Sequence, residues 1–261
     1  MHDGEHDTPD IHAAARRSPN VHGPANDAHG LLETQTRQHC AGILLAAGFG
    51  RRFMAAQAQA QATLSPPAEE FAAAMHAGQP GKLSARLPDG RTLAQTAAQA
   101  LCAATACTVA VVRPDTPALH VSLRDAGATV LISEDARRGM GASLAAAARH
   151  LIAHCGPDVR TALIALADMP WISAATYTRV TQAAQIHAIV VPTFKGRRGH
   201  PVALQRHLWP ALAELDGDVG ARTIVQRHPV HEIEIPDPGI LRDVDVPADL
   251  LATVDNKPAD G

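Results

Sequence analysis

From residue 41 onward, short continuous apolar runs alternate with alanine-rich stretches of helix-forming composition. The apolar runs are AGILLAA (41–47), TVAVV (108–112), ATVLI (128–132), TALIAL (161–166) and AIVV (188–191). The helical stretches cover residues 92–105, 141–154 and 173–185. Continuous apolar runs are typical of strands that are covered on both faces. The alternation of strand and helix therefore predicts a three-layer α/β fold with a mostly parallel sheet.

Three segments lack this pattern and are predicted to lie outside the packed domain, which spans residues 39–255. Residues 1–38 are polar, rich in histidine and broken by proline and glycine, which predicts a disordered tail. Residues 55–80 form a low-complexity stretch rich in Ala and Gln, predicted to be a flexible insertion. Residues 256–261 are predicted to be a flexible C-terminus. The tail histidines are expected to be only adventitious metal ligands: His2, His6, His12, His22 and His29.

Composition favours one domain and argues against several classes of partner. The 261 residues are 46% hydrophobic, which is enough for one sizeable core. A formal charge of -3 and an aromatic content of 3% argue against a nucleic-acid partner. The chain has no apolar stretch long enough to span a membrane and no secretory signal, so we expect a cytoplasmic protein without a membrane partner. Its four cysteines show no C-x-x-C spacing, which argues against a zinc ribbon or a redox pair.

The first apolar run continues directly into a small, cationic, glycine-rich loop, LLAAGFGRRF. Ligands of parallel α/β sheets bind at such strand ends. Glycine lets backbone N–H groups approach an anion, and Arg51 and Arg52 add charge-assisted hydrogen bonds to phosphate oxygens. The stretch lacks the third glycine of a dinucleotide fingerprint and the G-K-[ST] of a P-loop. In the absence of both motifs, the glycines and the two arginines favour a triphosphate as the ligand. An ordinary structural turn is the alternative.

Two further stretches place aspartates where a metal site is expected. Asp168, in ALADMPWIS, directly follows a predicted buried strand and can hold a divalent metal. A helix cap is the alternative role for Asp168, but Ser173 is better placed for it. In RDVDVPADL, Asp243 and Asp245 are expected to end a short strand before a helix. One of the two is a candidate second metal ligand, and the other is a candidate cap.

The loop KGRRGHPVAL (195–204) combines three cations with His200 between glycines. Such a loop can face an anionic substrate. An exposed hairpin with solvated charges is the alternative, and the spacing alone does not decide between the two.

Together these stretches resemble the MobA-like NTP transferases, and most closely the molybdenum cofactor cytidylyltransferases. That family opens with an apolar strand, L-A-A-G or L-A-G-G, an arginine and then a lysine. Leu45 to Gly48 and Arg52 match this opening, whereas Met54 stands where the family has glycine. Lys82, in GKLSARLPDGR, corresponds to the family lysine across the predicted insertion. The motifs ADMP, GRRGHPVAL and DVDVPADL follow in the family's order, so the resemblance runs from about Cys40 to Leu251.

The resemblance implies a fold of the nucleotide-diphospho-sugar transferase (Rossmann-like) type. It implies transfer of CMP from CTP to the terminal phosphate of molybdopterin, with or without molybdenum, and release of pyrophosphate. In the family the A-A-G form of the loop goes with CTP and the A-G-G form with GTP, so Ala47 implies CTP. A molybdenum hydroxylase or its maturation factor is the implied protein partner.

The resemblance also implies a role for each matched residue. Arg52, Lys82 and Asp168 are the implied catalytic residues, and Asp168 and Asp245 are the implied ligands of Mg²⁺. The implied nucleotide-binding residues are Leu45, Ala46, Ala47, Gly48, Arg52, Lys82 and Ser143. The implied residues for the second substrate are Arg198, Gly199, His200 and Pro201.

Three other functions remain open from the sequence. The first is a guanylyltransferase or another NTP transferase of the same family. The second is an oxidoreductase of the same superfamily, although a hydride-transfer site does not require Lys82 and Asp168. The third is a non-catalytic protein that carries finished cofactor to a molybdenum hydroxylase.

Overall fold

The computed structural model describes residues 36–62 and 81–251. Within these residues, eight strands form one sheet with helices on both faces. The strands are β1 (Cys40–Leu45), β2 (Cys107–Val112), β3 (Thr129–Ile132), β4 (Thr161–Leu166), β5 (Ile189–Phe194), β6 (Arg197–Arg198), β7 (Val202–Gln205) and β8 (His231–Glu234). The helices are α1 (Arg51–Ala62), α2 (Leu93–Ala104), α3 (Pro117–Asp125), α4 (Met140–His154), α5 (Ala174–Ala183), α6 (Trp209–Ala213) and α7 (Arg222–Arg227). The structure confirms the predicted α/β fold.

The first half of the sheet is parallel and has β1 at its centre. The strand order is β3-β2-β1-β4-β7-β5-β6, and β8 pairs with β5. β1 pairs in parallel with both β2 and β4, and β2 pairs in parallel with β3. The carboxyl ends of β1 and β4 therefore lie side by side, because Leu45 is opposite Leu166.

The second half of the sheet contains both parallel and antiparallel strand pairs. The sequence predicted a mostly parallel sheet and did not reveal the antiparallel pairs. β5 turns back at Lys195 and Gly196, both with positive φ, so that β6 pairs with it antiparallel. The chain then runs through β7, which inserts antiparallel between β4 and β5. A hairpin replaces the crossover helix here, because a tight turn reverses the strand direction whereas a helical crossover preserves it.

Two apolar clusters cover the two faces of the sheet. Successive side chains of a strand point to opposite faces, so Leu44 and Ile43 of β1 belong to different clusters. The Leu44 cluster contains residues of α2, α3 and α5, whereas the Ile43 cluster contains residues of α4, α6 and α7. Both clusters bury strand residues completely, which explains the continuous apolar runs in the sequence.

Helix starts agree with the capping residues in the sequence. The Thr92 hydroxyl accepts a hydrogen bond from the Gln95 N–H at the start of α2. The Ser173 hydroxyl accepts from the Thr176 N–H at the start of α5, so Ser173 is the cap of this helix. Asp168 is consequently not needed as a cap.

The start of the domain differs from the predicted boundary. Residues 36–38, which the sequence assigned to the tail, are helical. Thr36 is buried, and Arg37 Nε donates to the Thr105 carbonyl at 3.1 Å. These contacts fix residues 36–38 to the end of α2. The rest of the predicted tail, residues 1–35, and the predicted C-terminal segment 256–261 lie outside the described residues.

The start of the predicted insertion also differs from the prediction, because it is helical. Residues 55–62 continue α1, because alanine and glutamine are good helix formers and Phe53 anchors the helix by its burial. Residues 63–80 lie outside the described residues.

The predicted short strand before Asp243 is not formed. The Asp249 carboxylate instead accepts hydrogen bonds from the N–H groups of Asp245 and Val246, each at 2.8 Å. This side chain holds a turn, and a 3-10 helix follows at Pro247–Leu251.

No helix among the described residues is long and apolar enough to cross a bilayer.

Candidate active site

A small third apolar cluster brings together three segments that are far apart in sequence. It contains Phe53 of α1, Leu87 and Leu93, and Val244, all of them buried. Arg52 precedes the first of these residues, and Asp245 follows the last. The 3-10 helix at Lys82–Ser84 leads into the same cluster through Ala85, which packs against it. Apolar packing therefore sets the positions of the neighbouring charged side chains.

Backbone hydrogen bonds connect the carboxyl end of β4 to the segments around this apolar cluster. The Asp168 carbonyl accepts a hydrogen bond from the Val244 N–H at 2.9 Å. The Ala167 N–H donates to the Leu45 carbonyl at 3.1 Å. These two bonds place Asp168 between the end of β1 and the segment that carries Asp245.

The glycine loop lies directly against Lys82. Gly50 has φ of 59°, and a Cβ added there would lie 2.8 Å from the Lys82 Cβ. A side chain at this position would therefore clash with Lys82 as well as strain the backbone. Arg113, directly after β2, donates to the Ala47 carbonyl at 3.1 Å, and its guanidinium lies 4.1 Å from the centre of the Phe49 ring. Arg113 thus orders the loop from its other side.

Four charged side chains meet at this point. Lys82 Nζ donates to Asp168 Oδ2 at 2.8 Å and to Asp245 Oδ1 at 3.4 Å. Arg52 donates to the other oxygen of Asp245 at 3.0 Å. The Lys82 side chain is only 10% exposed, whereas that of Arg52 is 83% exposed. Lys82 is therefore the inner cation of the cluster, and Arg52 is the outer one.

The cluster forms one wall of an open cleft of about 540 Å³. The cleft lining includes most of the predicted nucleotide-binding residues: Leu45, Ala47, Gly48, Arg52, Lys82 and Ser143. Ala46 lines an adjoining cavity of about 310 Å³, which shares Gly48, Phe49 and Lys82 with the cleft. The structure thus brings together the residues after β1, after β4 and at the start of α4. A cleft of this size suits a nucleotide.

Another wall of the cleft is formed where α4 begins. Gly139 and Met140 line it, and the Ser143 hydroxyl donates to the Gly139 carbonyl at 3.0 Å. The loop between α6 and α7 packs onto this helix start and contributes Asp218 to the cleft. Sequence reasoning missed Asp218, because the residue lies in a turn, GDVG, and follows no strand.

The four residues predicted for the second substrate are not among those that line the cleft. Arg198 is exposed and donates through Nε to Glu232 at 2.9 Å. A Cβ on Gly199 would lie 2.2 Å from the Ile240 carbonyl oxygen, so this glycine allows close packing. Pro201 is buried. Burial lowers the pKa of His200, although the Asp168 and Asp243 carboxylates oppose this effect.

The family model for the MobA-like NTP transferase domain matches residues 42–233. The chain belongs to the MobA-like NTP transferase family. The matched range contains the glycine loop, Lys82, Asp168 and Asp218, whereas Asp245 lies beyond it. Membership makes the chain a nucleotidyltransferase-type enzyme that uses a nucleoside triphosphate.

Solved structures of this fold agree with the family. Rv0371c from Mycobacterium tuberculosis H37Rv is 24% identical, with 82% of this chain and 96% of Rv0371c covered and a TM-score of 0.61. A complex of Rv0371c with manganese is 23% identical, with coverages of 83% and 94% and a TM-score of 0.56. Molybdopterin-guanine dinucleotide biosynthesis protein A from Archaeoglobus fulgidus is 17% identical, with coverages of 80% and 94% and a TM-score of 0.52. At these identities the likeness shows the fold. No curated protein matches the chain in sequence.

The geometry predicts that Lys82 and Asp168 stabilise the fold together. A double-mutant cycle with Lys82→Met and Asp168→Asn should give a coupling of about 1 to 3 kcal/mol in urea unfolding, because the pair is largely shielded from water. The exposed pair Arg198 and Glu232 is the matched control and should give about 0 to 1 kcal/mol. Equal coupling for both pairs would contradict the structural role assigned to the inner cation.

Proposed function

We propose that this family member transfers CMP from CTP to the terminal phosphate of molybdopterin, in its free or molybdenum-loaded form, and releases pyrophosphate. The observation that carries the proposal is the position of Lys82, beside the glycine loop and between two aspartates in the wall of the cleft. This arrangement offers cations to phosphate oxygens and carboxylates to a metal ion at one place. Neither a hydride-transfer site nor a carrier protein requires that combination.

The proposed reaction needs charge stabilisation more than proton transfer. A phosphate monoester has a second pKa near ~6, so the attacking phosphate is already largely dianionic at neutral pH. The site must hold two anionic groups in line and stabilise the charge on the α-phosphate and the departing pyrophosphate. Lys82 and Arg52 are the proposed donors for this purpose. Arg51, which also lines the cleft, adds a third positive charge.

Asp168 and Asp245 are the proposed ligands of a divalent cation, taken to be Mg²⁺. The side chains fit this role, because their carboxylates already flank one cation, the ammonium of Lys82. Mg²⁺ usually binds through one or two carboxylates, with water and substrate phosphates as its other ligands. When bound, such an ion neutralises charge on phosphate oxygens. Support comes from the manganese complex of the mycobacterial protein.

Asp245 is favoured over Asp243 as the second ligand. Asp245 lines the cleft and contacts Lys82, whereas Asp243 is exposed and is not part of the cleft lining. The sequence left this choice open, since both aspartates follow the same apolar pattern.

The second substrate is proposed to approach from the loop with Arg198, Gly199, His200 and Pro201. Support comes from the contact of His200 Nδ1 with the Ile164 carbonyl oxygen at 3.5 Å, because Ile164 belongs to β4, the strand that leads to Asp168. Burial favours the neutral imidazole of His200, so it is available as a hydrogen-bonding group rather than as a cation. A molybdenum hydroxylase or its maturation factor is the proposed recipient of the product.

The proposed reaction predicts a nucleotide preference. Incubation with molybdopterin should release pyrophosphate from CTP faster than from GTP, because Ala47 places a methyl group in the loop that lines the cleft. A pocket difference of this size is worth about 1 to 3 kcal/mol, or roughly 10- to 150-fold in kcat/KM. Equal or faster turnover of GTP would contradict the cytidine assignment and favour the guanylyltransferase. No pyrophosphate from any nucleotide would contradict the transferase reaction itself.

Substitution of the two neighbouring aspartates, Asp245 and Asp243, is expected to change turnover to different extents. Asp245→Asn should lower kcat at least about 100-fold, because it removes one carboxylate from the proposed cation site. Asp243→Asn removes the same charge two residues away and should keep near-normal turnover. Asp243→Asn should unfold at the wild-type urea concentration, whereas Asp245→Asn should stay folded under assay conditions with a lower midpoint, because it loses the ion pairs with Lys82 and Arg52. The reverse pattern in pyrophosphate release would assign the cation to Asp243.

A further inference from the structure

Asp218 is an acidic residue in the wall of the nucleotide cleft that the proposed chemistry does not use. It lies in the loop between α6 and α7, and its side chain lines the cleft together with Gly139, Met140 and Ser143. The residue is exposed. Within the described parts of the chain, its carboxylate has no hydrogen bond or ion pair.

The loop that carries Asp218 is held closely against the start of α4. The Gly217 carbonyl accepts a hydrogen bond from the Gly141 N–H at 2.8 Å. A Cβ on Gly141 would lie 2.4 Å from the Val219 carbonyl oxygen, and a Cβ on Gly139 would lie 2.1 Å from Asp218 Oδ1. Side chains are therefore not tolerated at these two glycines without movement of the loop. The backbone position of Asp218 is thus set by contacts on both sides of the residue, and one carboxylate oxygen lies against Gly139.

The charges at this wall differ from those at the wall with Lys82. Arg137 lies 3.1 Å from Glu134 and 3.5 Å from Asp115. Arg138 lies 3.1 Å from Asp216 and 3.6 Å from Asp135. Asp115 also pairs with Arg113 at 3.1 Å, so three arginines at this wall face the carboxylates of Asp115, Glu134, Asp135, Asp216 and Asp218. At the other wall, Lys82, Arg51 and Arg52 face only the carboxylates of Asp168 and Asp245. The wall with Asp218 therefore has an excess of negative charge, and the wall with Lys82 has an excess of positive charge.

This charge pattern favours one orientation of a nucleotide in the cleft. Lys82, Arg51 and Arg52 attract the triphosphate to their wall, and the free carboxylate of Asp218 repels phosphate from the other. The uncharged end of the nucleotide, its base, is the part that can approach Asp218. A carboxylate is an acceptor only, so it needs a donor from the base.

We propose that Asp218 is a specificity-determining residue that accepts a hydrogen bond from the exocyclic amine of the nucleobase. This inference rests on the proposed function, since it concerns the same nucleotide site. Cytosine carries an N4 amine, which donates to carboxylates. Uracil carries the O4 carbonyl at the same position, and an oxygen there faces the carboxylate with like partial charge. Asp218 therefore selects CTP over UTP.

The test compares equilibrium binding of CTP and UTP, which needs no second substrate. Isothermal titration calorimetry with the full chain and Mg²⁺ should show wild-type binding to CTP at least about 10-fold tighter than to UTP. Asp218→Asn should lower that ratio at least about 10-fold, because an amide can donate to O4 and UTP then binds better. Asp218→Ala should weaken CTP binding without this gain for UTP.

Asp216→Asn is the matched control. It removes a negative charge from the same loop, but Asp216 pairs with Arg138 and is not part of the cleft lining. Its CTP to UTP ratio should equal that of the wild type. An unchanged ratio in Asp218→Asn, or an equal fall in Asp216→Asn, would overturn the role of Asp218.

Failure of this inference and failure of the proposed function give different results. Pyrophosphate release from CTP with an unchanged ratio in Asp218→Asn would overturn only the role of Asp218. Selective CTP binding that depends on Asp218, without pyrophosphate release on addition of molybdopterin, would overturn only the proposed transfer.

Discussion

The candidate site depends on the ammonium of Lys82, which lies between the carboxylates of Asp168 and Asp245. A largely buried cation needs paired charges, because burial of an isolated charge is costly. The two aspartates supply this pairing from separate segments. Asp168 follows β4, and Asp245 precedes the 3-10 helix at Pro247–Leu251. Arg52, with its far more exposed side chain, shares Asp245 with the lysine. The wall of the cleft is thus one connected ion cluster built from four separate parts of the chain.

Packing and backbone hydrogen bonds hold this cluster in place. The apolar group around Phe53 and Val244 fixes the neighbours of Arg52 and Asp245, and the Val244 N–H ties the second of these segments to Asp168. Gly50 allows the loop after β1 to touch Lys82. The same glycine-dependent approach recurs across the cleft, where Gly139 and Gly141 admit the loop with Asp218. Glycines therefore set the shape of the cleft, and charged residues set its polarity.

Much of the fold could be predicted from the sequence, because β1, β2, β4 and β5 are buried on both faces and appear as continuous apolar runs. The run at 128–132 also corresponds to a strand, β3, but β3 lies at the sheet edge and is partly exposed. All five runs correspond to strands, β1 to β5. The short strands β6 and β8 were missed, since their sequences RR and HEIE contain no continuous apolar run. β7, VALQ, was missed because its three apolar residues follow the charged stretch KGRRGHP, which predicts a loop. The continuation of α1 through residues 55–62 was also missed, because low-complexity composition masks helix propensity. The same apolar pattern could not show that β7 runs antiparallel.

The site could be predicted in part, for a related reason. Asp168 and the loop at Gly48 follow buried strands of a parallel sheet, so topology places them at one edge. Lys82 was assigned by resemblance across residues that separate it from Arg52 in sequence, and both side chains reach Asp245 in the structure. The preference for Asp245 over Asp243 depends on a turn held by the Asp249 carboxylate, which no periodicity reveals. The position of Asp218 in the cleft wall depends on loop packing, which no sequence periodicity reveals either.

The central claim is that the cleft beside Lys82 binds the triphosphate together with a divalent cation. A crystal structure with Mn²⁺ and a non-hydrolysable CTP analogue tests it most directly, because manganese can be located by its anomalous scattering. An anomalous peak is expected at the Asp168 and Asp245 carboxylates, with the phosphates in reach of Lys82 and the base next to Asp218. A nucleotide bound elsewhere, or manganese bound away from both aspartates, would contradict the claim.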